Sequence, residues 1–144
     1  MTKTKAQQIM AATEVRAADD VTAAIQDIAA EFEPYIIKQR RHFHKHPELS
    51  LAEERTTSDI ANQLDAMNIP YERPLKTGLV ATLRGTAPDA YREDGTPRRR
   101  ILLRADIDAL PVTEQTGEEF ASVNEGCMHA CGHDCHIAMM LGTL

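Results

Sequence analysis

The chain has 144 residues, 42% of them hydrophobic, and its 22 acidic and 16 basic residues give a net charge of −6, which argues against nucleic acid as the main partner. No stretch approaches the roughly 18 apolar residues that a membrane span needs, and we see no apolar core of a signal peptide. Cys127, Cys131 and Cys135 lie close together and do not suggest a disulfide framework, so we expect a cytoplasmic protein.

The first part of the chain is predicted to be a leader followed by a helix. Residues 1–20 carry no strong apolar stripe, and we expect them to be mobile. From Val21, apolar residues recur every three or four positions, which predicts a helix, or a pair kinked at Pro34, that reaches about His46. Pro47 should stop it, because the residue before a proline disfavours the helical conformation.

A second helix is predicted after residues 50–53, whose sequence Ser-Leu-Ala-Glu has the form of a capping box. One face of this helix would carry Ile60, Leu64 and Met67, which recur at helical spacing, and the helix should end near Asn68. After this helix, the apolar residues no longer recur every three or four positions but alternate with other residues, as in a strand.

Two strands are predicted next. Residues between Gly78 and Gly85 alternate in the way of a strand of about seven residues. Residues 86–98 form a polar, turn-rich loop that would lead into a hairpin partner at residues 100–105. The apolar run at residues 101–103 fits a buried strand.

The densest chemical signal lies at residues 128–136, which hold three of the six histidines and two of the three cysteines. Thiolate and imidazole bind zinc and related ions well, and the glycine between Cys131 and His133 lets the backbone turn so that both face one ion. The pattern predicts a metal site just ahead of a helix that Asp134 should cap. The alternatives are buried cysteines beside satisfied histidines, and an iron–sulfur cluster, although the cysteine spacing does not match the common cluster motifs.

Two carboxylates, Asp106 and Asp108, follow the predicted buried strand and share one face. Two like charges at the end of a buried strand are unfavourable unless a cation lies nearby, and a metal ion or Arg104 would serve. The alternative is a strand that ends in solvent before Pro111.

Four blocks of the sequence, taken together, carry a resemblance to a known family. The first is residues 40–56, with Arg-Arg-His-Phe-His, then Pro47-Glu48-Leu49, Glu53 and Thr56, and the second is residues 77–85, with Thr-Gly-Leu-Val-Ala and Arg-Gly. The third is residues 103–122, with Leu-Arg-Ala-Asp-Ile-Asp-Ala-Leu-Pro, Glu114, Thr116-Gly117 and Ala121-Ser122. The fourth is residues 126–142, with Gly126, Met-His-Ala-Cys-Gly-His-Asp and Leu141-Gly142. From about Tyr35 onward the chain resembles the aminoacylase-type metallopeptidases, and within them the amidohydrolases of N-acyl amino acids, which include hippurate hydrolases and plant auxin-conjugate hydrolases.

The resemblance implies an α/β fold, namely the N-terminal part of a zinc-peptidase-like catalytic domain, with helices packed on a mixed sheet and the lid domain absent. Residues 21–144 would form this truncated portion after the leader. For the intact enzyme it implies metal-dependent hydrolysis of the amide bond of N-acyl amino acids or related conjugates, which are small-molecule substrates.

The resemblance also implies a site with two divalent metal ions, with zinc favoured and manganese, cobalt or nickel as alternatives. Cys131 and His133 would be two ligands, and the other ligands and the general-base glutamate are expected farther along than this chain reaches. Asp108 is expected to accept a hydrogen bond from His133 and fix its tautomer, with Asp106 as the alternative acceptor. In related branches a histidine ligand stands at the position of Asp106, which argues against ligation by Asp106 itself.

On this interpretation the 144-residue chain alone contains no complete catalytic apparatus, so we expect it to be inactive. Bare strand edges would make it self-associate. Two other classes of function stay open: a non-catalytic metal-binding or structural piece, and an iron–sulfur or redox module that uses the three cysteines.

Overall fold

The computed structural model describes residues 18–144, and its first element is one long helix, α1, over Ala18–Lys45. The predicted helix is confirmed, and Pro34 lies inside it without ending it. The helix ends two residues before Pro47, as predicted. The leader expected at residues 1–20 falls almost wholly outside the described residues and stays a prediction.

The second helix, α2, spans Glu54–Met67 and is capped by a residue that lies outside the predicted motif. Glu53 occupies the N-cap position but makes no capping bond through its side chain, so the capping box predicted from residues 50–53 is wrong. Instead, the Glu48 carboxylate accepts hydrogen bonds from the N–H (2.7 Å) and the hydroxyl (2.8 Å) of Thr56. A carboxylate at this end also suits the positive end of the helix dipole, so Glu48 replaces the local cap.

A short antiparallel strand pair follows α2. The helix ends at the predicted point, where Asn68 adopts a left-handed conformation with φ 58°, which asparagine tolerates better than most residues. The strands are β1 (Tyr71–Glu72) and β2 (Val80–Ala81), with Tyr71 opposite Ala81. β2 is therefore much shorter than the seven-residue strand predicted in this region.

The strand predicted at residues 100–105 is not formed, and its apolar side chains are not buried. Ile101 and Leu102 are 84% and 89% exposed. No backbone group among residues 18–144 pairs with this segment, and a strand persists only where its N–H and C=O groups find such partners. The segment borders a cavity of about 550 Å³, whose other walls include apolar residues of α2, of β2 and the segment after it, and of the last part of the chain: Ile60, Leu64, Val80, Leu83, Ile137, Met140 and Leu141.

The remaining sheet contacts are isolated bridges of both orientations. Leu49 pairs with Ala109 in parallel, and Leu110 pairs with Met128 in antiparallel orientation. The predicted class, helices on a sheet, is therefore confirmed, but the ordered sheet is small.

The third helix, α3, spans His133–Thr143 and packs along α1. The helices approach closely at Gly142, where a Cβ atom would lie 2.7 Å from Cγ1 and Cδ1 of Ile36. The N-cap is Gly132 with φ 90°, so the prediction that Asp134 caps this helix is wrong.

All three helices contribute to one apolar core. Its buried members are Phe43, Ile60, Leu64, Ile69, Ile137 and Leu141. Within residues 18–144, none of the helices combines the length and the apolar composition that crossing a membrane requires.

Candidate metal centre

Backbone hydrogen bonds fix the loop of the two aspartates against the histidine-rich tract. Leu110 and Met128 exchange N–H to C=O bonds of 2.9 and 3.0 Å, and the Ala109 N–H donates to the Glu48 carbonyl at 2.8 Å. These bonds anchor residues 106–108 beside the first turn of α3.

His133, the first residue of α3, is oriented by Asp108. Its Nδ1 lies 2.9 Å from both the carboxylate Oδ1 and the backbone carbonyl oxygen of Asp108. The predicted hydrogen bond between these two residues is therefore confirmed. Because both acceptors require a proton on Nδ1, Nε2 is the nitrogen left to bind a metal ion, as in many carboxylate–histidine–metal arrangements.

Three potential metal ligands meet beside this pair. Asp106, His133 and His136 each offer one ligand atom, and the three atoms lie within 4.8 Å of one another. The two imidazole rings are stacked, with centroids 5.3 Å apart and an interplanar angle of 27°. Asp106 also forms an ion pair with Arg104: Nη2 of Arg104 lies 2.6 Å from Oδ1 of Asp106. Imidazole nitrogen and carboxylate oxygen suit zinc and related transition ions, so these residues fit a metal centre.

The sequence pattern did not single out His136 as a ligand. The signal that could have found it is its spacing: on a helix that begins at His133, a residue three positions later lies on the same face.

The three cysteines differ in solvent exposure. Cys131 is exposed, Cys135 is partly buried and Cys127 is buried. Burial, and then the nearby charge of Glu48, raises the pKa of the Cys127 thiol. Among the described residues no cysteine joins the Asp106–His133–His136 cluster. This arrangement gives the iron–sulfur alternative no support, and the predicted role of Cys131 as a ligand stays a prediction.

Below the candidate site, a buried polar network joins α1 to α3. The Asp134 side chain is fully buried, and its Oδ2 lies 2.8 Å from Nδ1 of His44 and 2.9 Å from Nε of Arg40. On the other side of the ring, Nε2 of His44 lies 3.1 Å from Oε1 of Glu114. Asp134 therefore binds side chains of α1 instead of capping its own helix.

Glu114 is held as a carboxylate in spite of its burial, since its side chain is only 4% exposed. Burial alone would raise its pKa. Hydrogen bonds from the Ser122 N–H, the Thr116 hydroxyl and the His44 ring outweigh burial and lower the pKa from 4.5 to about 2.

We expect Glu114→Gln to lower the free energy of unfolding by about 2–3 kcal/mol at pH 7, because a depressed folded-state pKa stabilises the fold. The sign follows from the direction of the shift. The stabilisation is present above the unfolded pKa near 4.5 and is lost as the pH falls through the folded value near 2. Urea unfolding between pH 7 and pH 3 measures it; a difference between parent and variant that stays constant over this range would contradict the assignment.

Comparisons with known proteins bear on the same residues. The profile of peptidase family M20/M25/M40 matches residues 102–144, which include both aspartates and the whole histidine-rich tract. The chain is 43% identical over 120 residues to an N-acyl-L-amino acid amidohydrolase of Geobacillus stearothermophilus, covering 83% of this chain and 30% of the relative. It is 45% identical over 117 residues to an N-acetylcysteine deacetylase of Bacillus subtilis, covering 78% of this chain and 28% of the relative.

A solved structure is similar in fold as well as in sequence. It is a Bacillus subtilis protein described as a dinuclear metal binding peptidase from the M20 family. The TM-score is 0.68 at 43% identity, covering 79% of this chain and 30% of the other. The chain thus spans less than a third of the length of each of these relatives.

Proposed function

This chain belongs to peptidase family M20/M25/M40, and from that premise we propose that it acts in the metal-dependent hydrolysis of the amide bond of N-acyl amino acids. The observation that carries the proposal is His133, whose Nδ1 is bound by Asp108 and whose ring lies in one cluster with the His136 imidazole and the Asp106 carboxylate. This arrangement lies within the stretch that matches the family profile.

The chain's own residues would hold and orient the metal. Asp108 fixes the tautomer of His133 and raises the basicity of its free nitrogen. His133 and Cys131 are the proposed ligands by resemblance. When bound, two divalent ions would polarise the acyl carbonyl and acidify a water molecule. We propose zinc as the metal, with manganese, cobalt and nickel as alternatives.

The proposed substrate class rests on the names of two relatives, which describe an amidohydrolase of N-acyl-L-amino acids and a deacetylase of N-acetylcysteine. Both reactions release an amino acid from an acyl group, so we propose an N-acyl amino acid as substrate. The exposed Cys131 thiol would persist best in a reducing compartment, which supports the proposal of a cytoplasmic location.

We further propose that the 144-residue chain alone is inactive and self-associates. The carboxylates at the site are engaged, Asp106 by Arg104 and Asp108 by His133, so neither is free to act as a general base. The exposed apolar side chains of residues 101–103 supply a surface for self-association.

A segment-swap chimera tests the proposal. The aligned 120-residue stretch of the Geobacillus stearothermophilus amidohydrolase would be replaced by that of this chain, and turnover of N-acetyl amino acids measured with and without chelator. We expect the chimera to hydrolyse these substrates only with metal, and the 144-residue chain to show no turnover and a concentration-dependent mass in light scattering.

Two outcomes would contradict the proposal. A chimera that folds and binds metal but has no activity would show that this sequence does not support the reaction. Saturable, metal-dependent turnover by the 144-residue chain would show that it needs no residues from elsewhere.

A further inference from the structure

We propose that His129 and Asp134 enclose an internal water site, which joins the turn carrying Cys131 to the buried network between α1 and α3. Water binding there involves neither the metal ion nor the substrate, and so goes beyond the proposed function. Its one consequence for the reaction, that His129 positions Cys131, rests on the proposed function.

Three buried polar atoms of His129 and Asp134 have no hydrogen-bond partner among residues 18–144. They are both ring nitrogens of His129 and Oδ1 of Asp134, the oxygen that the buried network does not use. His129 is 4% exposed and Asp134 is fully buried, so bulk water does not reach these atoms. Leaving a buried polar atom unpaired is costly, and native structures contain few such atoms. Three of them on two side chains therefore point to a bound partner.

His129 and Asp134 are close neighbours at the start of α3. The Gly132 N–H donates to the His129 carbonyl at 3.3 Å, and Asp134 is the second residue of the helix. Burial lowers the pKa of the His129 ring, and the charge of Asp134 opposes this shift, so the carboxylate lies near the ring. One small molecule can therefore reach both side chains.

The surroundings of the two side chains keep them from pairing directly. The other oxygen of Asp134, Oδ2, lies 2.8 Å from the His44 ring and 2.9 Å from Nε of Arg40, and these contacts orient the carboxylate. The backbone just before His129 is fixed by the two hydrogen bonds of Met128 to the loop of the two aspartates. Polar groups that are held apart in this way are commonly bridged by water.

Water suits these atoms better than a further protein group does. A carboxylate oxygen only accepts hydrogen bonds, whereas a neutral imidazole offers one donor and one acceptor. One water molecule can donate to Asp134 Oδ1 and bond one ring nitrogen of His129, and a second can bond the other nitrogen. A further protein segment is disfavoured, because residues 18–144 already cover both side chains almost completely.

The water site makes His129 a positioning residue for Cys131. The bond between the His129 carbonyl and the Gly132 N–H closes the turn on which Cys131 lies. Water on the His129 ring anchors this turn to Asp134, which is itself bound to His44 of α1. Groups that hold a metal ligand in place in this way support the affinity of the site.

Two substitutions separate hydrogen bonding from packing. His129→Phe keeps a ring of similar size that cannot bond water, whereas His129→Gln keeps one donor group and one acceptor. In urea unfolding of the 144-residue chain, we expect His129→Phe to raise the unfolding equilibrium constant about tenfold or more, and His129→Gln less than about threefold. His42→Phe is the matched control, because the His42 side chain is 39% exposed, and it should also stay within about threefold.

Either of two unfolding results would overturn the proposal. A His129→Phe variant as stable as the parent would show that the ring acts by its shape alone. A His129→Gln variant as unstable as His129→Phe would show the same.

A crystal structure of the chimera, prepared without metal, tests the water directly. We expect a water molecule within hydrogen-bond distance of both Asp134 Oδ1 and one ring nitrogen of His129. A protein group in that place, or a direct bond between the two side chains, would overturn the proposal, even if His129→Phe fails to fold.

Metal binding by the chimera tests the positioning role. We expect His129→Phe to weaken Zn²⁺ binding about tenfold or more, and His129→Gln to stay within about threefold of the parent. Unchanged binding in a folded His129→Phe variant would overturn the positioning role. A parent chimera that binds no metal would instead contradict the proposed function, and it would leave the unfolding comparison intact.

Discussion

Asp134→Asn is expected to lower the free energy of unfolding by about 3 kcal/mol, a large share of the stability of a chain of this size. The Asp134 side chain is fully buried, and one of its oxygens lies within 3 Å of both the His44 ring and the Arg40 guanidinium. Asparagine keeps the shape of the side chain but removes its charge, so it leaves the guanidinium without its buried counter-charge.

Urea unfolding followed by circular dichroism measures this loss. Asp65→Asn is the matched control, because Asp65 is exposed and its replacement should change the free energy by less than about 0.5 kcal/mol. If Asp134→Asn and Asp65→Asn had the same free energy of unfolding, the buried network between α1 and α3 would not contribute to stability.

Cys131→Ala in the chimera is expected to remove most bound metal and to reduce turnover at least about 100-fold. Replacing a residue that merely supports a ligand costs 10- to 100-fold, and loss of the ligand itself should cost no less. Cys127→Ala and Cys135→Ala should keep the metal content of the parent, because the Cys127 thiol is buried and Cys135 lies within α3.

Elemental analysis of the three variants gives the metal-to-protein ratio, and turnover of N-acetyl amino acids gives the activity. An equal loss of metal in all three variants would favour a site made from several cysteines. Full metal content in Cys131→Ala would remove that residue from the proposed ligand set of the intact enzyme.

The helices could be predicted from the sequence because their signals are local. α1 was visible in the recurrence of apolar residues from Val21, and the end of α2 in a single asparagine. The bond between Asp108 and His133 was also predictable, but only after the family resemblance had placed two distant segments side by side.

Two of the errors share a physical cause, which is that the deciding contacts are distant in sequence. Asp134 has the right position for a local cap, yet a side chain 90 residues away binds it more favourably. The apolar run at residues 101–103 has the composition of a buried strand, but pairing depends on other strands, and the described residues supply none. His136 was not predicted as a ligand, because the cysteine–glycine–histidine pattern indicates only Cys131 and His133. The cluster in the structure instead contains His136, which lies three residues after His133 on one helix.

The close approach of α3 to α1 carries a consequence for how this sequence can diverge. Gly142 and Ile36 share one gap between the two helices, and even one methyl group on Gly142 would overlap two atoms of Ile36. A side chain at position 142 therefore requires the Ile36 side chain to rotate or to be replaced by a smaller one, or else the helices to separate, which costs about 1–3 kcal/mol in a packed interface. Positions 36 and 142 should therefore covary across an alignment of relatives, with a larger residue at 142 accompanied by alanine or another small residue at 36.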